Sequence, residues 1–250
     1  MNDLTILICV HSKSDLHDSL LIKAIDSLES QTYKDFEYII YDGMSNDGTR
    51  STVQKYLNKN IKYICKKDNN YYEGLNYAIN KATGDYIGIL NAGDQYCNCN
   101  TLKKLAKIIC LGNYDILFGN LIYINSRNHH VRYWNFPIKK LTLLSALKIA
   151  SPTLFIKKKI FKLKSYNSKF SISSDTDFNL RLSQKKTKFL YYDHYLIFMR
   201  TGGLSTNYKF FLRKMIEDLS ILRKYFKNFY AFIYLYKIII KIRTFYKFST

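Results

Sequence analysis

The chain has 250 residues, 47% of them hydrophobic, with 39 Lys or Arg against 19 Asp or Glu and a formal net charge of +20. That length and apolar content exclude an intrinsically disordered chain and fit one core of catalytic size with at most a small appendage. The basic excess points to an anionic partner, whether nucleic acid, a lipid surface or a phosphate-bearing substrate, but Lys is spread along the whole chain and charge alone does not choose among them.

The five cysteines are odd in number, and the one close pair, Cys97-Asn98-Cys99, has no second pair to complete a zinc site. Reduced thiols in a cytoplasmic protein are the expectation. The apolar stretch 4–10 is too short for a signal-peptide core, and no segment reaches the ~20 apolar residues of a membrane span. The protein is therefore expected on the cytoplasmic side, untranslocated by any signal of its own.

In chain order, strand and helix signals alternate through the first half. A strand is predicted over 4–10, an amphipathic helix with Leu21, Ala24, Ile25 and Leu28 on one face, and a strand over 36–41. Asn46 and Asp47 are cap candidates before a helix carrying Val53 and Leu57. A strand over 61–65, a helix over 71–82 and a strand over 86–90 follow. Such alternation predicts an α/β fold: a mostly parallel sheet with helices on both faces.

Ligands bind such sheets outside the carboxyl ends of the strands. Those ends carry His11, Asp42 and Asp94, with Asp68 just past a further strand. A lone acid after a strand is usually a turn or cap residue; the same pattern on separate segments points to one crevice. At residues 84–96, GDYIGILNAGDQY, an apolar run stops at Asn91-Ala92-Gly93-Asp94. Small residues there let a ligand approach the backbone.

The second half is less regular. Strands are predicted over 115–124, 130–134 and 153–156 and a helix over 141–149; Ser173-Ser174-Asp175-Thr176-Asp177 opens a further helix with two acids in its first turn. From residue 207 the composition shifts. Apolar residues at 211, 215, 219, 222, 226, 229, 233, 236 and 240 form a helical stripe, and residues 208–250 hold ten Lys or Arg against two acids. The expected organisation is a catalytic domain over 1–206 and a basic, aromatic helical tail over 207–250. That tail either packs on the core or lies on an anionic membrane surface.

Several blocks, in order, carry a resemblance: Ser30-Gln31-Thr32-Tyr33-Lys34, Tyr41-Asp42-Gly43-Met44-Ser45-Asn46-Asp47-Gly48-Thr49, and Asp68-Asn69-Asn70-Tyr71-Tyr72-Glu73-Gly74-Leu75-Asn76. They continue with Leu90-Asn91-Ala92-Gly93-Asp94, Ser174-Asp175-Thr176-Asp177-Phe178-Asn179-Leu180-Arg181-Leu182 and Gly202-Gly203-Leu204-Ser205. Over residues 3–206 the chain resembles the family 2 nucleotide-sugar glycosyltransferases of GT-A fold, in their bacterial surface-polysaccharide branch. The sequence departs from that pattern at Asn91 and Gly93, which are often acidic, at Glu73 for Asp, at Tyr77 for Lys, and at Ser151-Pro152-Thr153 for a His-Gln pair.

The resemblance implies a nucleotide pocket lined by Val10, His11, Ser12, Asp42, Asp68, Asn76, Asn91 and Ala92. An ionised carboxylate such as Asp42 can only accept, which suits the N–H of a nucleobase. It further implies that Asp94 faces the donor diphosphate through Mn2+ or Mg2+, hard cations that take oxygen ligands. Asp175 is the implied base that deprotonates an acceptor hydroxyl in an inverting displacement, with Asp177 as second candidate. The implied partners are a nucleotide-diphosphate sugar and a lipid-linked glycan acceptor in capsule, exopolysaccharide or O-antigen assembly at the inner membrane's cytoplasmic face. The rivals are a non-catalytic sugar-nucleotide binder, a nucleic-acid binder, and a nucleotidyltransferase, which would want a glycine-rich loop where His11-Ser12-Lys13-Ser14-Asp15 stands.

Overall fold

The computed structural model describes residues 4–10, 17–45, 48–56, 61–163, 165–202 and 208–245. Its first half is four parallel strands, β1 (Leu4–Val10), β2 (Phe36–Asp42), β3 (Ile61–Cys65) and β4 (Tyr86–Ile89), arranged β3-β2-β1-β4. The two-residue period of these strands sends alternate side chains to opposite faces. Leu4, Ile6 and Ile8 pack with Leu21, Ile25 and Leu28 of helix α1 (His17–Glu29), joined by Val53 of α2 (Thr49–Gln54). Leu7, Ile39 and Ile87 face the other way, onto Leu75, Ala78 and Ile79 of α3 (Tyr71–Lys81). The alternation read from the sequence thus builds a sheet covered on both sides.

Beyond β4 the sheet changes character. After the short β5 (Gln95–Tyr96) and α4 (Thr101–Gly112) come β6 (Ile116–Ile124), β7 (His130–Trp134), β8 (Phe155–Lys157) and β9 (Phe189–Arg200). Strand β8 runs antiparallel between β4 and β6, β9 is parallel to β6, and β5 closes that edge antiparallel to β9. The unbroken parallel order therefore belongs to the first half, and the second half mixes the β6–β9 parallel pair with antiparallel ones.

The helix expected over 141–149 shortens to one turn, α5 (Leu143–Ala146). A reciprocal Thr142–Ser145 capping box starts it, and a 3-10 turn containing Pro152 follows. Helices α6 (Lys158–Leu163) and α7 (Ser174–Ser183) lead into β9.

The tail forms α8 (Phe211–Phe226) and α9 (Tyr230–Arg243), separated by a turn in which Lys227 takes φ 48°. The single stripe expected from the sequence is broken there. Ile221, Leu222 and Ile240 are buried against the core, whereas Phe211 and Phe229, both counted in the stripe, are exposed. No helix among the described residues is long and apolar enough to cross a membrane.

Candidate active site

Asp42 ends β2 beside Val10, the last residue of β1. Its carboxylate is buried and accepts hydrogen bonds from the Ser45 amide (2.7 Å) and the Tyr63 hydroxyl (2.7 Å). The Tyr63 phenol is pushed far above its ordinary pKa, first by burial and then by that bond. Asp68 follows β3 and lies against Gly74: a Cβ at that glycine would come within 2.5 Å of Asp68 Oδ2 and 2.4 Å of the Tyr41 ring. Gly74 is what lets the Asp68 carboxylate, the Tyr41 ring and α3 share this corner. The structure thus brings Val10, Asp42 and Asp68 to one edge; His11 and Ser12 lie outside the described residues.

Asn76 does something other than line a pocket. Its Nδ2 donates to the Tyr166 carbonyl (2.8 Å) and its Oδ1 accepts from the Tyr166 amide (2.9 Å). With both ends of the amide engaged by backbone, Asn76 tethers the segment before α7 to α3.

At the end of β4 the chain turns through Asn91, Ala92 and Gly93, whose φ of +91° favours glycine. Asp94 emerges 3% exposed. Its Oδ1 accepts from the Arg200 amide (3.0 Å) and its Oδ2 from Asn91 Nδ2 (3.1 Å), while Asn91 Oδ1 accepts from the Tyr71 hydroxyl (2.6 Å). Burial pushes the Asp94 carboxyl up to about 7, in spite of those bonds and of the Arg200 charge. Arg200 reaches Asn128 Oδ1 (3.3 Å), and its Nε is buried without a hydrogen-bond partner beside Gly93.

Among the described residues no three His, Cys, Asp or Glu side chains gather to cage a metal. The donor present, the Asp94 carboxylate, is nonetheless a hard oxygen ligand; the Asn91 amide turns its nitrogen to Asp94 and its oxygen to the Tyr71 hydroxyl. One carboxylate suits a magnesium-like ion that takes its remaining ligands from substrate phosphates and water. The residues fit that mode and no closed site.

Helix α7 separates its two acids sharply. Asp175 is half-buried in the first turn, where its Oδ1 accepts from the Thr176 amide (2.7 Å) and its own amide donates to the Tyr72 hydroxyl (3.4 Å). That hydroxyl donates in turn to the Ile172 carbonyl (3.1 Å). Asp177 is 1% exposed and closed on both oxygens, by Arg181 Nε (2.7 Å) and the Tyr225 hydroxyl (2.9 Å). Asp177, the second candidate base, thereby ties α7 to α8.

Tyr123 of β6, which the sequence reading passed over, links the two ends of the site. Burial raises its phenol pKa, the stacked Arg132 guanidinium 3.7 Å from its ring centroid opposes this, and the carboxylates of Asp175 and Asp94 both add to the rise. Asp94 and Asp175, 81 positions apart in the chain, therefore lie within electrostatic reach of one phenol. Within an apolar strand Tyr123 carried no sequence signal. Arg200, just before Gly202-Gly203, could have been noticed.

A parallel sheet with acids at its carboxyl edge is the arrangement in which ligands bind outside the strand ends. The model of the family described as "Glycosyl transferase family 2" matches residues 5–167, and the chain belongs to that family. A PGL/p-HBAD biosynthesis glycosyltransferase of Mycobacterium bovis BCG is 27% identical over 208 residues, 79% of each chain. A Campylobacter jejuni GalNAc(5)-diNAcBac-PP-undecaprenol beta-1,3-glucosyltransferase is 34% identical over 112 residues, 41% of this chain and 34% of its own. The crystal structure of Staphylococcus aureus TarS 1-349 in complex with UDP superposes with a TM-score of 0.67 at 18% identity, over 88% of this chain and 65% of that one. The chain is a glycosyltransferase with the GT-A fold.

Proposed function

We propose that the protein transfers a sugar, with inversion, from a nucleoside-diphosphate donor to a hydroxyl of a lipid-linked glycan in surface-polysaccharide assembly. The observation that carries this reading is the contrast on α7: Asp175 is open and shares the surroundings of Tyr123 with Asp94, whereas Asp177 is closed. In the reaction the acceptor oxygen bonds to the anomeric carbon as the bond to the donor diphosphate breaks. The bonding pair leaves with the diphosphate, and the hydroxyl proton passes to Asp175.

On the donor side, Asp42 and Asp68 would receive base and ribose donors at the ends of β2 and β3. Ala92 and Gly93 would leave room for the diphosphate at the end of β4. Asp94 would hold Mn2+ or Mg2+, which supplies positive charge where the leaving diphosphate becomes negative. Arg200 adds a fixed cation beside Gly93.

The lipid-linked acceptor rests on the name of the Campylobacter relative and on the surface of the tail. Phe232, Leu235, Ile239 and Ile242 are all exposed along one side of α9, and Phe211, Leu212 and Ile216 on α8; Arg213, Arg223, Lys224, Lys227 and Arg243 are exposed among them. Apolar residues flanked by basic ones suit the interface of an anionic bilayer, where each cation contributes about 1 kcal/mol. This surface would hold the enzyme peripherally on the membrane.

The test of the reading is Asp175→Asn. Sugar transfer should fall about a hundredfold or more while nucleoside-diphosphate affinity stays at the wild-type value. Undiminished transfer in that variant removes the base from Asp175.

A further inference from the structure

The inner side of the tail is as unusual as its outer side. On α9, Lys237 and Lys241 lie one turn apart among Ile233, Ile240 and Thr244, on the face turned to the core. Lys237 is 8% exposed and donates to Asp218 Oδ1 (2.8 Å) and to Thr176 Oγ1 (3.0 Å), next to the candidate base. Lys214 of α8 reaches Ser173 Oγ (3.5 Å), and Arg132 lies buried over Tyr123. Lys241 feels the charges of Lys237, Lys214 and Arg132, opposed by that of Asp218.

Their negative counterweight is small. Asp218 is matched by Lys237, and burial alone would raise its carboxyl, but Lys237 and Lys214 outweigh that and hold it below its usual range. Glu217 is committed to the Ser171, Ile172 and Ser173 amides and to Arg213. Among the described residues Lys241 has no hydrogen-bond or ion-pair partner. Burial first, then the neighbouring lysines, push its ammonium down to about 8. Arg132 and Lys237 are buried and Lys214 and Lys241 half-buried, and cations so placed with few carboxylates are costly unless an anion joins them.

We propose that Arg132, Lys214, Lys237 and Lys241 form a subsite for the phosphate groups of the lipid-linked acceptor, between the Asp175 end of the active site and the membrane-facing side of α8 and α9. The placement gives each part of such an acceptor its own neighbour. The lipid meets the exposed apolar face, the phosphates meet the cations on the opposite side of the same helices, and the sugar reaches Asp175, whose neighbour Thr176 is held by Lys237. A phosphate offers several strong acceptors to converging ammonium and guanidinium donors. The proposal rests on the transferase reading for the identity of the acceptor, and on the cation cluster for the site.

The test uses the full chain and inorganic pyrophosphate, titrated calorimetrically with and without a saturating nucleoside diphosphate to fill the donor pocket. Pyrophosphate should still bind when the nucleotide is present, and Lys241→Gln and Lys214→Gln should each weaken it about tenfold, the effect of one charge-assisted hydrogen bond. Lys104→Gln, exposed on α4, should leave pyrophosphate affinity unchanged. Lys241→Gln removes an unpartnered, half-buried cation, so its melting temperature should equal or exceed that of the wild type, which separates lost binding from lost folding.

Displacement of pyrophosphate by the nucleotide, or equal affinity in all variants, overturns the subsite. A second arm distinguishes the source of the phosphate: phosphatidylcholine vesicles carrying a polyprenyl diphosphate should bind more tightly than vesicles of matched charge carrying phosphatidylglycerol, with that preference lost in Lys241→Gln. Equal binding to both assigns the lysines to general surface attraction and overturns the proposal. Pyrophosphate held through Lys241 by a protein that binds no nucleoside diphosphate would sustain the subsite and remove the transferase reading instead.

Discussion

The acids at the carboxyl edge of β1–β4 and those at the corner of α7, α8 and α9 are held in opposite ways. Asp42 and Asp94 accept from neutral donors, namely backbone amides, a tyrosine hydroxyl and an asparagine amide. Asp177 and Asp218 are held by cations, Arg181 and Lys237. A carboxylate fixed by neutral donors has no counter-charge of its own and can answer to a ligand or metal, whereas one matched by a buried cation is already neutralised. Burial class alone does not separate them, since all four are almost fully buried. The partners do.

The largest effect that would break the comparison is expected from Asp177→Asn. It leaves Arg181 and the Tyr225 hydroxyl around a neutral amide, and removing one member of a buried ion pair costs about 3–5 kcal/mol. Chemical denaturation should show that loss, and residual activity should track the folded fraction. Activity abolished in a fully stable variant would return Asp177 to the chemistry.

Gly74→Ala probes the donor edge. In an ordinary helix interior the change stabilises, but here the methyl meets Asp68 and the Tyr41 ring, whose hydroxyl is anchored to the Lys66 carbonyl (2.8 Å). Overpacking of about 1–3 kcal/mol should appear as lower stability, together with weaker nucleotide binding.

Asp94→Asn sharpens the contrast through pH. A carboxyl with a folded pKa of about 7 and an unfolded value of 3.8 binds more protons in the native state between those values, so stability falls as pH rises from 4 to 7. The penalty is fully present above 7. The metal-free wild type should show that slope in its melting temperature, and Asp94→Asn should flatten it. An unchanged slope would place the titrating group elsewhere.

Much of the first half was legible because one physical signal controls it. Strands β1 to β4 are short, apolar and separated by helical periodicity, and their ends come out where the sequence placed them, with Asp42 and Asp94 among them. The second half resists for identifiable reasons. The middle of β9 carries Asp193 and His194, and its pairing with β6 shifts register, so no clean alternation marks it. Helix α4 was missed although Leu102, Leu105, Ala106 and Ile109 have helical spacing and are buried. Asp175 and Asp177 look alike in sequence. Their difference depends on Tyr225, 48 residues further on, and no local pattern contains it.

The cation cluster was hidden for the same reason. A helical stripe counted by apolar residues overlooks Lys237 and Lys241, because lysine on an inward face runs against the burial rule used to read the stripe. The tail has two unlike faces, one packed and carrying Lys237 and Lys241, the other exposed and apolar.

The central claim is that the edge of β1–β4 receives a nucleoside diphosphate. It is tested most directly by calorimetric titration of the protein with UDP, GDP and dTDP, each with and without Mn2+, beside Asp42→Ala. The account predicts that one of these nucleotides binds, that binding tightens with Mn2+, and that Asp42→Ala abolishes it. No binding of any of the three, or binding undisturbed in Asp42→Ala, would contradict it.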